Sequence, residues 1–167
     1  MVALSAAQRA DHYTVGLLVM KGTAMRISEL LKRLEEQQQR VGNVEVGSLL
    51  SGEWEGAEGP VVGVKADRGH RGTGPVTVLL EGRNDDEDTP QAHSEHPLTV
   101  RDLIARLTAL LESTGDVDVK LLITGEDPYG GELGPITEVS ALRWASTTLD
   151  GATDASTTIT ISGPIER

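Results

Sequence analysis

Residues 27–56, ISELLKRLEEQQQRVGNVEVGSLLSGEWEG, recur in the same chain as residues 100–129, VRDLIARLTALLESTGDVDVKLLITGEDPY. The two segments align without a gap, and their identities fall mainly at hydrophobic and glycine positions that a fold constrains. Further matches, reached across insertions, pair 59–68 with 134–143 and 76–82 with 157–163. The sequence therefore predicts an internal duplication that covers most of the chain.

Each copy opens with a predicted amphipathic helix, because hydrophobic residues recur at spacings of three and four. These positions are Ile27, Leu30, Leu31 and Leu34 in the first copy and Val100, Leu103, Ile104 and Leu107 in the second. Gly42 and Gly115 follow the two stripes and predict the helix ends. Thr99 and Asp102 have the spacing of a capping box at the start of the second helix. Valines that alternate after each glycine predict a strand, and two more strands follow.

We therefore expect an α+β protein made of two tandem α-β-β-β modules that pack with pseudo-twofold symmetry. The modules comprise residues 25–82 and 98–167, and an acidic linker over 83–97 joins them. Domains of about 60 residues bury too little surface to be stable alone, which favours packing of one module on the other. Residues 1–24 form an N-terminal extension, in which the apolar run 13–20 predicts one strand.

The composition excludes several classes of function. The chain has 167 residues, no Cys, 2% aromatic residues and a net charge of −11. Few aromatic rings argue against a stacking platform for single-stranded nucleic acid, and the acidic charge argues against binding of a phosphate backbone. The absence of Cys excludes disulfides and thiolate chemistry. The lack of an 18-residue apolar run predicts no membrane span.

The candidate binding residues lie in two equivalent acidic turns. Glu53 and Trp54 occupy the first turn, and Glu126 and Tyr129 occupy the second. Exposed aromatic rings on loops are typical of protein interfaces, so these four residues are the predicted protein-binding site. An alternative is that each ring folds back over the sheet and covers its own core. A further alternative is that the duplicated carboxylates perform acid–base chemistry, as in a hydrolase.

Other polar clusters give weaker signals. The segment GHRGTGP, residues 69–75, is rich in glycine and carries Arg71, but it lacks the spacing of a phosphate-binding loop. We interpret it as the tip of a hairpin. His93 and His96 stand three residues apart without a third ligand, and residues 85–88 lack the alternation of a calcium loop. We therefore expect no metal site and no cofactor.

The opening of each copy resembles a recurrent type of small bacteriophage and prophage protein. The residues that carry the resemblance are 27–31 with 42–46 in the first copy, and 100–104 with 115–119 and 134–136 in the second. The resemblance covers about 40 residues of each copy. It implies a small helix-on-sheet domain of mostly unassigned function, and it implies no catalytic residues.

These observations together predict a non-enzymatic module that binds another protein or associates with itself. A bacteriophage accessory or virion-associated structural protein is the expected role, located in the cytoplasm of a bacterial host or in the virion. One alternative is an acidic anti-defence inhibitor that mimics nucleic acid, which requires carboxylates spaced in a stripe like phosphates. The other alternative is the hydrolase that uses the duplicated acidic loops.

Overall fold

Two helices and seven strands make up the part of the chain that the computed structural model describes, namely residues 24–53, 56–69, 71–84, 96–125, 131–147, 149–151 and 153–166. In chain order they are α1 (Ile27–Val41), β1 (Val46–Ser51), β2 (Gly56–Asp67), β3 (Thr77–Arg83), α2 (Val100–Thr114), β4 (Val119–Thr124), β5 (Gly131–Pro135), β6 (Glu138–Thr147) and β7 (Thr153–Pro164). The strand predicted over 13–20 and most of the predicted linker lie outside the described residues.

All seven strands belong to one mixed sheet in the order β5-β4-β3-β2-β1-β7-β6. The pairs β1–β7 and β3–β4 are parallel, and the other four pairs are antiparallel. The prediction of two α-β-β-β modules packed with pseudo-twofold symmetry is wrong, because no separate module sheets exist among the described strands. The physical reason is that the outer edges of β1 and β3 each hydrogen-bond to a strand from the other half of the chain.

The sheet curls into a half-barrel, because its two outermost strands are neighbours in sequence. Only Ile136 and Thr137 separate the end of β5 from the start of β6. The backbone N–H of Thr137 donates to the carbonyl of Ser162 at 2.9 Å, and that of Glu166 donates to the carbonyl of Leu133 at 2.7 Å. The end of β7 is thereby tied to the connection between β5 and β6.

Two glycines allow the end of β7 to cross the end of β5 with their backbones in direct contact. A Cβ atom on Gly134 would collide with the carbonyl oxygen of Pro164, and one on Gly163 would collide with the carbonyl oxygen of Pro135. Backbone atoms cannot rotate away as a side chain can, so these two positions exclude every larger residue.

One hydrophobic core joins both halves of the chain. The helices contribute Ile27, Leu30, Leu34, Val100, Leu103 and Leu107, and the strands contribute Val46, Leu50, Val78, Leu80, Val119, Leu121, Ile159 and Ile161, all at most 1% exposed. The alternation of buried residues in β1 and β4 matches the period of two expected for strands that face a core on one side. Leu31 is also buried and Ile104 is partly buried against this core, so the predicted stripes are confirmed as the core-facing sides of the helices.

Each helix begins against the turn that follows the other helix. The carboxylate of Asp116, just after α2, accepts hydrogen bonds from the backbone N–H of Ser28 at 2.9 Å and from its hydroxyl at 2.6 Å. The side-chain oxygen of Asn43, just after α1, accepts from the backbone N–H of Arg101 at 2.9 Å. These side chains satisfy N–H groups that have no partner within the helix.

Local helix signals agree with the structure. Gly42 and Gly115 end the helices with φ of 86° and 84°, in the left-handed region that favours glycine. Thr99 and Asp102 form the predicted capping box at the start of α2. These local predictions are confirmed.

We expect Gly134→Ala to destabilise the protein by about 3 kcal/mol or to prevent folding, because the added methyl group meets a fixed carbonyl. The matched control is Gly47→Ala, where the nearest atoms lie 3.9 Å from the added Cβ. Urea unfolding followed by circular dichroism measures both changes. Equal stability of the two variants would contradict the close crossing.

We expect Asp116→Ala and Asn43→Ala each to cost about 1 kcal/mol near neutral pH, as the loss of a helix cap does. Hydrogen bonds from Ser28 lower the pKa of Asp116 below the 3.8 of an unperturbed Asp. A lowered folded-state pKa stabilises the protein above about pH 3.8, and this contribution is lost as the pH falls through the folded-state pKa.

The two cap variants should therefore differ in acid. The destabilisation caused by Asp116→Ala should shrink below about pH 3.8, whereas that caused by Asn43→Ala should persist because an amide does not titrate. Thermal unfolding between pH 2.5 and pH 7 tests this difference. A constant effect of Asp116→Ala across that range would contradict the role of its carboxylate.

Candidate functional site

The strands β1, β3, β4 and β7 all end on the same side of the sheet. β1 and β3 each lie antiparallel to β2, so they run in the same direction. β7 is parallel to β1, and β4 is parallel to β3. We call the edge where these four strands terminate the carboxyl end of the sheet.

Four chain segments leave the sheet in this direction, in two hydrogen-bonded pairs. The turn after β1 begins at Gly52 and the turn after β4 begins at Gly125. The segment after β7 runs beside β1, since the backbone N–H of Ile165 donates to the carbonyl of Ser51 at 3.0 Å. The segment after β3 runs beside β4, since the backbone N–H of Asn84 donates to the carbonyl of Thr124 at 2.8 Å. Both halves of the chain therefore contribute to this surface.

The two predicted binding turns thus leave the sheet at the same end. Glu53 is exposed in the turn after β1. Trp54, Glu126 and Tyr129 lie outside the described residues, so their part in the site stays a prediction. The strand directions nevertheless show that the chain leaves the sheet in the same direction after Ser51 and after Thr124.

Described charges of both signs lie near the carboxyl end, where the Arg83 guanidinium donates to the Thr124 hydroxyl at 2.9 Å. Glu53 is exposed, Glu132 is partly exposed on β5, and Glu166 follows β7. Lys120 forms an ion pair with Glu166 at 2.7 Å, and its side chain is 29% exposed. The adjoining sequence adds further acids at 85–88, which lie outside the described residues. The negatively charged rim is thus a prediction from the sequence of the turns.

The described acidic side chains do not form a metal centre. Within the described ranges, no three His, Cys, Asp or Glu side chains lie close enough to hold a metal ion. The pKa values of Asp102 and Asp116 are lowered by hydrogen bonds from Thr99 and Ser28, and both carboxylates cap helices. The hydrolase alternative requires Glu53 to converge with Glu126, which the described residues leave untested.

The glycine-rich segment 69–75 forms a turn at the other end of the sheet, between β2 and β3. The backbone N–H groups of Gly72 and Gly74 donate to the carbonyls of Gly69 at 3.1 Å and Arg68 at 2.9 Å. Because these two donors are used within the turn, they do not point at an external anion. The geometry therefore favours our interpretation of this segment as a hairpin tip.

Two ion pairs lie on described surfaces away from the carboxyl end. Glu29 pairs with Arg33 at 2.7 Å on α1, and Lys65 pairs with Glu81 at 2.7 Å across β2 and β3. Cations therefore neutralise the carboxylates at these two places, and the stripe of carboxylates that the nucleic-acid mimic requires stays a prediction.

Residue-by-residue alignment of the repeat missed one feature, a two-stranded arm formed by residues 142–147 of β6 and 153–158 of β7. The signal in the sequence was the longer insertion between the aligned segments 134–143 and 157–163. Leu142 is 39% exposed on this arm, and Leu149 is fully exposed in the turn that joins its strands. The arm lies at the opposite end of β7 from the carboxyl end.

Comparisons with known proteins return no relative of this chain. No family model, no curated protein and no solved structure matches it. Of the helices in the described residues, neither is long and apolar enough to cross a membrane. The site is therefore interpreted from its own geometry.

Proposed function

We propose that this protein is a non-enzymatic binding module that recognises another protein through the carboxyl end of its sheet. The observation that supports this most directly is that β1 and β4, the strands that precede the two repeated acidic turns, run in the same direction. A partner placed there can contact both halves of the chain.

The chemistry of this surface specifies the kind of partner. Glu53 and Glu166 provide exposed carboxylates, and the sequence places Trp54 and Tyr129 in the two turns. Trp and Tyr are enriched at the energetic centres of interfaces, and charged rims speed association with a partner of opposite sign. We therefore expect a partner surface that is basic around an apolar depression.

The biological setting that we propose follows from the resemblance of the repeat to small phage proteins. An accessory or virion-associated protein works by attachment to another protein and needs no reactive group. The anchored sheet gives its two turns fixed starting points, which reduces the entropy lost on binding.

The test is affinity capture from cells of the bacterial host, with or without phage infection, followed by direct binding measurements on the captured protein. We expect the double variant Trp54→Ala/Tyr129→Ala to weaken the binding at least 30-fold, as loss of two hot-spot residues does. We expect Glu53→Lys to slow association, with a smaller effect at high salt.

The matched control is Trp144→Ala, which removes the same side chain from β6, away from the carboxyl end. This variant should bind the partner with unchanged affinity. Equal losses in Trp54→Ala and Trp144→Ala would contradict the proposed surface. Failure of the wild-type protein to enrich any partner over the double variant would overturn the proposed function.

A further inference from the structure

The two residues after β7 lie between β1 and β5. The backbone N–H of Ile165 donates to the carbonyl of Ser51 on β1 at 3.0 Å, and the next N–H, of Glu166, donates to the carbonyl of Leu133 on β5 at 2.7 Å. Successive residues of an extended chain point in opposite directions, so one residue bonds to each neighbour. Residues 165–166 therefore occupy the place of a strand between β1 and β5, and we call them the bridging segment.

Side chains also hold the bridging segment in place. The carboxylate of Glu166 pairs with the ammonium of Lys120 on β4 at 2.7 Å. Ile165 is partly buried and packs against the hydrophobic core. Just before the bridging segment, the carbonyl of Pro164 lies where a Cβ atom of Gly134 would be. Three strands, β1, β4 and β5, therefore contact these two residues directly.

The bridging segment is the shorter connection between the two acidic turns. The first turn leaves β1 after Ser51, and the second turn ends where β5 begins, at Gly131. Along the sheet, β2, β3 and β4 lie between β1 and β5, which is four strand spacings or about 19 Å. Across the bridging segment, β1 and β5 are two spacings apart, or about 10 Å. The separation of the turns therefore depends more on this segment than on the rest of the sheet.

The strand β5 depends on the bridging segment because it is short. It has five residues, pairs with β4 on one side and accepts the Glu166 bond on the other. The bond from the N–H of Thr137 to the carbonyl of Ser162 lies beyond the far end of β5, away from the second turn. A short strand opens at low cost, because few hydrogen bonds break. The bridging segment therefore limits how far the start of β5 can move from β1.

We propose that Ile165 and Glu166 are positioning residues that set the separation of the two acidic turns. This role concerns the free protein, and only its consequence for binding rests on the proposed function. A partner that contacts both turns loses less conformational entropy on binding when their separation is already fixed. The bridging segment acts in this way without any contact of its own with the partner.

The first test measures the separation of the turns in the absence of a partner. Because the chain has no Cys, spin labels on introduced cysteines are unambiguous. The pair Glu53→Cys/Glu132→Cys reports on the two turns, and the pair Lys32→Cys/Arg106→Cys reports on the two helices. In electron-resonance distance measurements, Glu166→Pro should make the distribution of the first pair about twice as broad, because the variant removes the N–H donor. The distribution of the helix pair should stay unchanged.

The matched control is Glu166→Gln, which keeps the N–H donor and removes only the charge. An exposed ion pair contributes little, so this variant should give the wild-type distance distribution. An unchanged distribution in Glu166→Pro would overturn the proposal. Equal broadening in both variants would contradict the role of the backbone hydrogen bonds.

Hydrogen exchange of the wild-type protein gives a second test that needs no variant. The amide hydrogens of Ile165 and Glu166 should exchange about 100-fold more slowly than those of an unstructured peptide, because both are bonded to neighbouring strands. If Glu166→Pro also alters the distance between the helices, this measurement decides instead. Unprotected exchange at both amides would overturn the proposal.

The closing experiment measures binding of the partner that affinity capture identifies. We expect Glu166→Pro to weaken the affinity about 10-fold and Glu166→Gln to change it less than about twofold, because only the former loses the preset separation of the turns. A broader distance distribution with unchanged affinity would overturn recognition through both turns and leave the positioning role intact. A distance distribution that does not broaden would overturn the positioning role, whatever the affinity.

Discussion

The structure depends on two parallel strand pairs that join the halves of the chain. β3 pairs with β4 over six residues, and β1 pairs with β7 over six residues. Without these pairs, β1 and β3 would each expose a backbone edge, and the buried faces of α1 and α2 would cover only part of the hydrophobic residues beneath them. The single core, the curled sheet and the common carboxyl end all follow from this pairing of strands between the two halves.

Contacts between the two halves of the chain also position the helices. The backbone N–H of Ile27 donates to the carbonyl of Val117 at 3.1 Å, and that of Val100 donates to the carbonyl of Val44 at 2.8 Å. The start of α1 therefore lies beside the turn between α2 and β4, where Asp116 caps it. The start of α2 lies beside the turn between α1 and β1, where Asn43 caps it. Helix placement therefore depends on the same contacts between the two halves as strand pairing does. Removal of either cap should consequently destabilise both halves of the chain.

The sequence predicted those features that local physics determines. Hydrophobic spacing located both helices, glycines located their ends, and Thr99 with Asp102 located a capping box. It could not predict strand partners, because the alternation in β1 or β4 defines a buried face and leaves the identity of the neighbouring strand open. For the candidate site, the repeat identified equivalent turns, and only the strand directions showed that both begin at one end. The arm was missed because most of it lies in an insertion, which has no counterpart in the first copy of the repeat.

The position of β7 in the sheet has a consequence for biosynthesis. β7 follows every other described strand in sequence, yet it lies between β1 and β6 in the sheet. During synthesis, the edge of β1 that pairs with β7 therefore stays unpaired until more than 100 further residues have been added. The nascent chain therefore completes its sheet late, and its high density of acidic residues keeps neighbouring chains apart during that interval.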